Sequence, residues 1–297
     1  MGRKKYFFAF SGALIVISIL ALLVKGLTFG VDFQGGTSMT FSDAAGVTTE
    51  QVRGALEEAG VPDTANATIQ PTDDGGYIVR TAESDTAKAH GAFSAIIDSL
   101  DLPEQDANVT TIGPGWGKNV TDASLLALAV SIIAILIYIS LRFEYKMSVS
   151  AVVALLHDTV IVLGVYAISG REVTPNTIAA VLTILGYSLY DTIVVFHRIR
   201  ENAAGLTKMS FMSMTNESIN QVLMRWVNTG LIQVIPVVAL FFFGGETLQD
   251  FAFAMAVGLV AAAYSTVGLA SPFYAMWKER EPKFQALKRK YAAQESK

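Results

Sequence analysis

Six runs of this chain are apolar and long enough to cross a bilayer: Tyr6–Val24, Ala123–Leu141, Ser148–Ile168, Ile178–Phe196, Val222–Phe243 and Phe251–Trp277. A hydrocarbon core of about 30 Å takes about 20 residues of helix. No water is present there to satisfy backbone N–H and C=O groups, so each run must form a helix that closes its own hydrogen bonds. Only 16% of the residues are charged, against about 25% in an average soluble domain. The net charge of −4 and the lack of a basic aromatic patch argue against nucleic acid as a partner. The chain has no cysteine, which excludes thiol chemistry and disulfides. Arg3, Lys4 and Lys5 before the first run resemble the start of a signal peptide. That run is of spanning length, however, and no small-x-small site precedes Lys25-Gly26-Leu27-Thr28. An uncleaved signal-anchor is therefore expected.

Lysine and arginine set the expected orientation. The N-terminus, the second-to-third and fourth-to-fifth loops and the tail after Trp277 carry 16 of the 22 basic residues, Arg3 and Lys297 among them. Both termini are thus expected in the cytoplasm. The segment between the first two spans is acidic, with Asp43, Glu50, Glu57, Glu58, Asp73 and Asp74. The tail, 278–297, is basic, and its Lys283–Lys290 cluster suits anionic lipid or a ribosome-side partner.

Residues 26–118 form a region of domain size. Strands are predicted at Gly36–Ser42, Ala65–Gln70, Tyr77–Thr81 and Ala107–Ile112 from apolar alternation. Thr48 and Gln51 have capping-box spacing ahead of Val52, Leu56 and Ala59. Phe93, Ile96, Ile97 and Leu100 give a second helical stripe behind Ser84, and Asp73-Asp74-Gly75-Gly76 is a hairpin turn signal. The order β-α-β-β-α-β is that of a split, ferredoxin-like α+β domain. His90 is isolated on a helix, so a mechanical or binding module is expected rather than an enzyme. The fold class expected is thus a polytopic α-helical membrane protein with one extracytoplasmic ferredoxin-like domain, followed by a five-helix region over 123–277.

Charge inside the spans points to function. Asp191 interrupts the fourth run, which ends in His197, Arg198 and Arg200. A charge in hydrocarbon costs roughly 2.5–3.5 kcal/mol on insertion scales unless it faces protein or water. An acid there marks a functional site, with a proton as the first ligand to consider. His157-Asp158 in the third span is a second proton-relay candidate. Neighbours on a helix point about 100° apart, so one is expected to face the fourth helix and the other an opposing subunit. Gly35-Gly36, with Asp32 just before, and Gly244-Gly245 each follow a span. They read either as helix-ending glycines or as a hinge or close-packing motif. Pro175, Pro236 and Pro272 read as turn, kink and helix-end residues.

Five motifs, in order along nearly the whole chain, make it resemble the SecD/SecF family of protein-export membrane proteins. They are Phe29-Gly30-Val31-Asp32-Phe33-Gln34-Gly35-Gly36-Thr37, Leu141-Arg142-Phe143-Glu144-Tyr145, Ala154-Leu155-Leu156-His157-Asp158, Gly186–Asn202, and Leu240–Leu248. The resemblance is to the SecF half, a relative of resistance-nodulation-division transporters. It implies a bacterial inner-membrane subunit paired with SecD and associated with the SecYEG channel. Such a subunit uses proton flow to draw an unfolded polypeptide outward after SecA has pushed it. Protons are then the coupling ion, and no cofactor or metal is implied. The family's membrane acid falls on Asp191, and its basic residue at the start of the fifth span falls on Arg225, a candidate counter-ion. The chain departs from the family pattern at His197, at Trp116 and over Trp226–Gly230.

Two other readings compete. Acids on consecutive spans suggest an intramembrane aspartyl protease, which needs paired carboxylates. The Gly-x-Gly-Asp and Pro-Ala-Leu companions of that chemistry are absent. The acids could also only knit helices together in a non-enzymatic scaffold or membrane-protein assembly factor.

Overall fold

The structure, a computed structural model, describes residues 4–42, 44, 46–72, 75–103 and 107–295. Arg3, Lys297, Asp43 and the Asp73-Asp74 half of the hairpin signal lie outside them. In chain order, α1 (Lys4–Val24) leads to a one-turn helix, Val31–Gln34. Then come β1 (Gly36–Phe41), α2 (Thr49–Glu58), β2 (Thr68–Pro71), β3 (Tyr77–Thr81), α3 (Thr86–Leu100) and β4 (Ala107–Ile112). The remaining helices are α4 (Pro114–Arg142), α5 (Tyr145–Ser169), α6 (Pro175–Ala204), α7 (Phe211–Phe243) and α8 (Gly245–Ser265). A π-helical turn (Thr266–Ala270), α9 (Ser271–Lys278) and α10 (Pro282–Glu295) complete the chain. The chain divides into two compact units, 29–126 and the rest.

In the first unit the four strands form one antiparallel sheet in the order β2-β3-β1-β4. Alternation decides which face is buried. Met39 and Phe41 of β1 stand opposite Val79 and Tyr77 of β3. They pack with Val52 and Leu56 of α2 and with Phe93 and Ile96 of α3 in a single core. Burying each such side chain stabilises by about 1.5–3 kcal/mol. Thr48 closes the capping box its spacing predicts. Two details depart from the sequence expectation. Asp85, not Ser84, caps α3, accepting from the Ala87 and Lys88 amides. The second strand starts at Thr68, because Thr64–Asn66 curl into a 3-10 turn whose carbonyls are held by Arg53.

Among the described residues, six helices are long and apolar enough to span: Lys5–Val24, Gly115–Arg142, Tyr145–Ser169, Pro175–Ala204, Phe211–Phe243 and Leu248–Lys278. The third and sixth are the most enclosed, with 56% and 61% of their apolar windows buried, and the second and fifth the least, at 6% each. Helix contact relies on small residues, as it does where lipid supplies no hydrophobic drive. A Cβ added to Gly164 of α5 would strike Ser18 of α1, and one on Gly258 of α8 would strike Ile184 of α6. At one end an aromatic cluster of Phe143, Phe196, Phe211, Tyr274 and Phe284 seals the bundle, with Phe211 and Phe284 centroids 4.7 Å apart.

The sixth span is not the single unbroken helix that Phe251–Trp277 predicts. Pro272 has no N–H to return to the preceding turn, and it follows the π turn at the start of α9 rather than marking a helix end. The Ser271 amide bonds the Thr266 carbonyl instead, and the Ser271 hydroxyl donates to the same oxygen at 2.8 Å.

Candidate functional site

Two polar loci lie within the spans, on two sides of α6. The first is closed. Asp158 of α5 is fully buried. One carboxylate oxygen accepts from Ser188 Oγ of α6 at 2.6 Å and Ser265 Oγ of α8 at 2.9 Å. The other lies 3.0 Å from His157 Nδ1. Ser188 and Thr192, four residues apart, share one face of α6. Thr192 Oγ1 lies 3.2 Å from Thr266 Oγ1, the first residue of the π turn. One carboxylate thus ties three spans together where hydroxyls have no water to turn to.

The structure corrects the expectation that His157 and Asp158 face apart, one of them toward another subunit. Both are buried within this chain. The 100° offset holds at Cβ, but the imidazole is long enough to fold back onto its neighbour's carboxylate. His157 packs beside the Tyr264 ring, 6.1 Å between centroids. Its Nε2 is buried with no hydrogen-bond partner among the described residues.

The second locus is open. Asp191 is half-buried on α6, and none of the described residues donates a hydrogen bond to it. It lines a small cleft with Tyr190 and Val194 of its own helix and with Arg225, Trp226 and Thr229 of α7. Arg225 Nη2 donates to Tyr190 Oη at 3.1 Å, so guanidinium and carboxylate share the cleft without an ion pair. Tyr187, Tyr190, Arg225 and Asn228 on this side are exposed, an unusual set for apolar spans. His197, also exposed, pairs at 3.4 Å with Glu201 one turn on.

The glycine motif packs closely. Gly35 ends the one-turn helix at φ 77°, and Gly36 enters β1 at φ 113°. A Cβ on Gly36 would strike the Thr81 carbonyl, and one on Gly117 would lie 2.9 Å from Phe33 O and Gly35 N. Burial pushes the Asp32 carboxyl above the usual range, against the lowering effect of its own backbone amide. Gly244 caps α7 in a right-handed conformation, and Gly245 opens α8. Among the described residues no cluster of three or more His, Asp or Glu could hold a metal.

Sequence reasoning missed Ser188, Thr192, Ser265 and Thr266. The first two carried a readable signal, two hydroxyls four apart on the span that holds Asp191. Nothing in the sequence ties Ser265 to Asp158, 107 residues away.

Comparison with known proteins agrees with this arrangement of spans. The family profile for the protein export membrane protein SecD/SecF, C-terminal, matches residues 93–280, and that for the SecD/SecF GG motif matches residues 20–42. The protein translocase subunit SecF of Streptomyces coelicolor is 35% identical over 98% of this chain and 79% of its own length. That of Thermodesulfovibrio yellowstonii is 38% identical over 92% of each. The crystal structure of SecDF from Thermus thermophilus, a translocon-associated membrane protein, superposes with a TM-score of 0.86 at 34% identity. That match covers 94% of this chain and 38% of the SecDF chain.

Proposed function

The chain belongs to the SecD/SecF family of protein-export membrane proteins, and from that premise we propose that it is an accessory subunit of Sec-dependent export that couples proton flow to outward movement of a polypeptide. In this reading it sits in the bacterial inner membrane with both termini in the cytoplasm. Residues 26–118 are then a ferredoxin-like module on the far side, a reading supported by the strand order β2-β3-β1-β4. SecD is the partner half, and SecYEG and SecA act on the same polypeptide.

The observation that carries the coupling is Asp191: a carboxylate in a span, without a hydrogen-bond donor among the described residues, in one cleft with an arginine engaged elsewhere. Ionised, Asp191 draws the Arg225 guanidinium from the Tyr190 hydroxyl. Protonated, it releases it. The two charge states therefore favour two placements of α7 against α6. One charge moved through 100 mV supplies about 2.3 kcal/mol, enough to shift such an equilibrium roughly fifty-fold. The exposed Tyr187, Tyr190, Arg225 and Asn228 make this face a poor neighbour for lipid, and in this reading SecD covers it.

The test is export into sealed vesicles with and without a proton gradient, comparing the native chain with Asp191→Asn. The variant is expected to assemble with its partner and lose the gradient-dependent stimulation. Full stimulation would remove the coupling role, loss of assembly would favour a scaffold, and loss of peptide cleavage a protease.

A further inference from the structure

The end of the bundle that gathers the chain's basic residues holds a cleft of about 690 Å³ that the proposed export role leaves unused. Its walls include Lys5 and Phe8 of α1, Met276 of α9, Glu279 and Arg280 just beyond it, and Arg289 of α10. Lys5 opens the first span and Phe8 lies one turn inside it, while Met276 lies in the last turn of the sixth and Glu279 just past its end. The cleft therefore sits at the depth where hydrocarbon gives way to headgroups.

Charge is distributed unevenly there. Lys146, Lys278 and Lys288 are each ion-paired. Among the described residues, Lys5, Arg280 and Arg289 have no such partner. Glu279 is only 5% exposed. Its Oε2 accepts from Lys288 Nζ at 2.7 Å, but its Oε1 is buried and, among the described residues, has no hydrogen-bond partner. A buried acceptor left unmet is costly. A ligand that satisfies all three features carries an anion for the cations, a donor for Glu279 Oε1 and an apolar chain for Phe8 and Met276.

We propose that this cleft binds an acidic phospholipid with a hydroxyl-bearing headgroup, of which phosphatidylglycerol is the simplest. Lys5, Arg280 and Arg289 hold the phosphate, Glu279 accepts from the headgroup hydroxyl, and the first acyl methylenes lie along Phe8 and Met276. Basic pockets at the ends of spans are suited to anionic headgroups because each cation near a membrane surface attracts them strongly. The inference requires that the chain spans a membrane, and it is independent of proton coupling.

Native mass spectrometry of the full chain, extracted from vesicles of equal phosphatidylglycerol and phosphatidylcholine, tests it. The native chain is expected to retain phosphatidylglycerol selectively. Arg280→Ala with Arg289→Ala should lower that retention roughly thirty-fold. Lys283→Ala with Lys290→Ala, which removes equal charge from the tail outside the cleft, should not. Phe8→Trp, which crowds the apolar wall but keeps every cation, should also lower retention, and it decides the matter if the arginine variant does not fold. Equal retention of the two lipids, equal loss in both double variants, or an unaffected Phe8→Trp would each overturn the site. Displacement of the lipid by millimolar inorganic phosphate would assign the cleft to a free anion and overturn it as well.

Discussion

Asp158 and Asp191 present the same carboxylate in two settings, and the setting decides what removing each should cost. Asp158 has hydrogen-bond partners on both oxygens, drawn from three spans. Asp191 is half-buried and has no donor among the described residues. Removing one partner from a buried pair costs more than the pair gains, because the survivors are left unmet. Ser188→Ala is expected to cost about 1–3 kcal/mol. Asp158→Ala, which strands His157, Ser188 and Ser265, should cost more, while Asp191→Asn should cost little. Thermal unfolding of the three variants in detergent checks the order, and equal shifts for Asp158→Ala and Asp191→Asn would break it. Asp191 was legible as a charge in an apolar run. The Asp158 cluster was half legible, since the acid shows in sequence and its hydroxyl partners on other helices do not.

Elements depart from the sequence where a distant group satisfies their backbone or side chains. Arg53 turns Thr64–Asn66 away from the strand, and Ser271 holds the break in the sixth span. The Glu144 motif gains meaning the same way. Glu144 accepts from Tyr274 Oη at 2.6 Å and Lys278 Nζ at 2.9 Å, and Lys278 and Lys146 both reach Glu281 ahead of α10. Burial pushes the Glu281 carboxyl upward, but hydrogen bonds from Lys146 and Lys278 outweigh it and hold the group below its ordinary 4.5. A carboxyl held low when folded stabilises fully above its unfolded value and loses that contribution as pH falls through the folded one. Hydrogen exchange in the first turn of α10, corrected for intrinsic rate, should stay flat from about pH 7 to 5 and rise below about 4.5. Glu281→Gln should abolish that response, and a rise that persists in the variant would assign it to another group.

At the scale of the whole molecule, each unit has its own core. The core of residues 29–126, built on Met39, Phe41, Leu56, Val79 and Ile96, draws on no residue of the spans. A fragment covering 36–112 is therefore expected to fold alone, with a cooperative thermal transition by circular dichroism and a sheet-plus-helix spectrum. A broad, non-cooperative melt would show that the domain needs the rest of the chain. Hydropathy, by itself, determined six spans and where they lie along the chain, because hydrocarbon leaves a backbone no other solution. Alternation likewise determined most strands of the domain, because a two-sided sheet must sort its side chains. Only the tertiary structure decided which acid its neighbours satisfy, which helices are enclosed and where the basic end opens into a cleft. Those outcomes depend on groups brought together from distant positions, and local pattern carries no record of such distances.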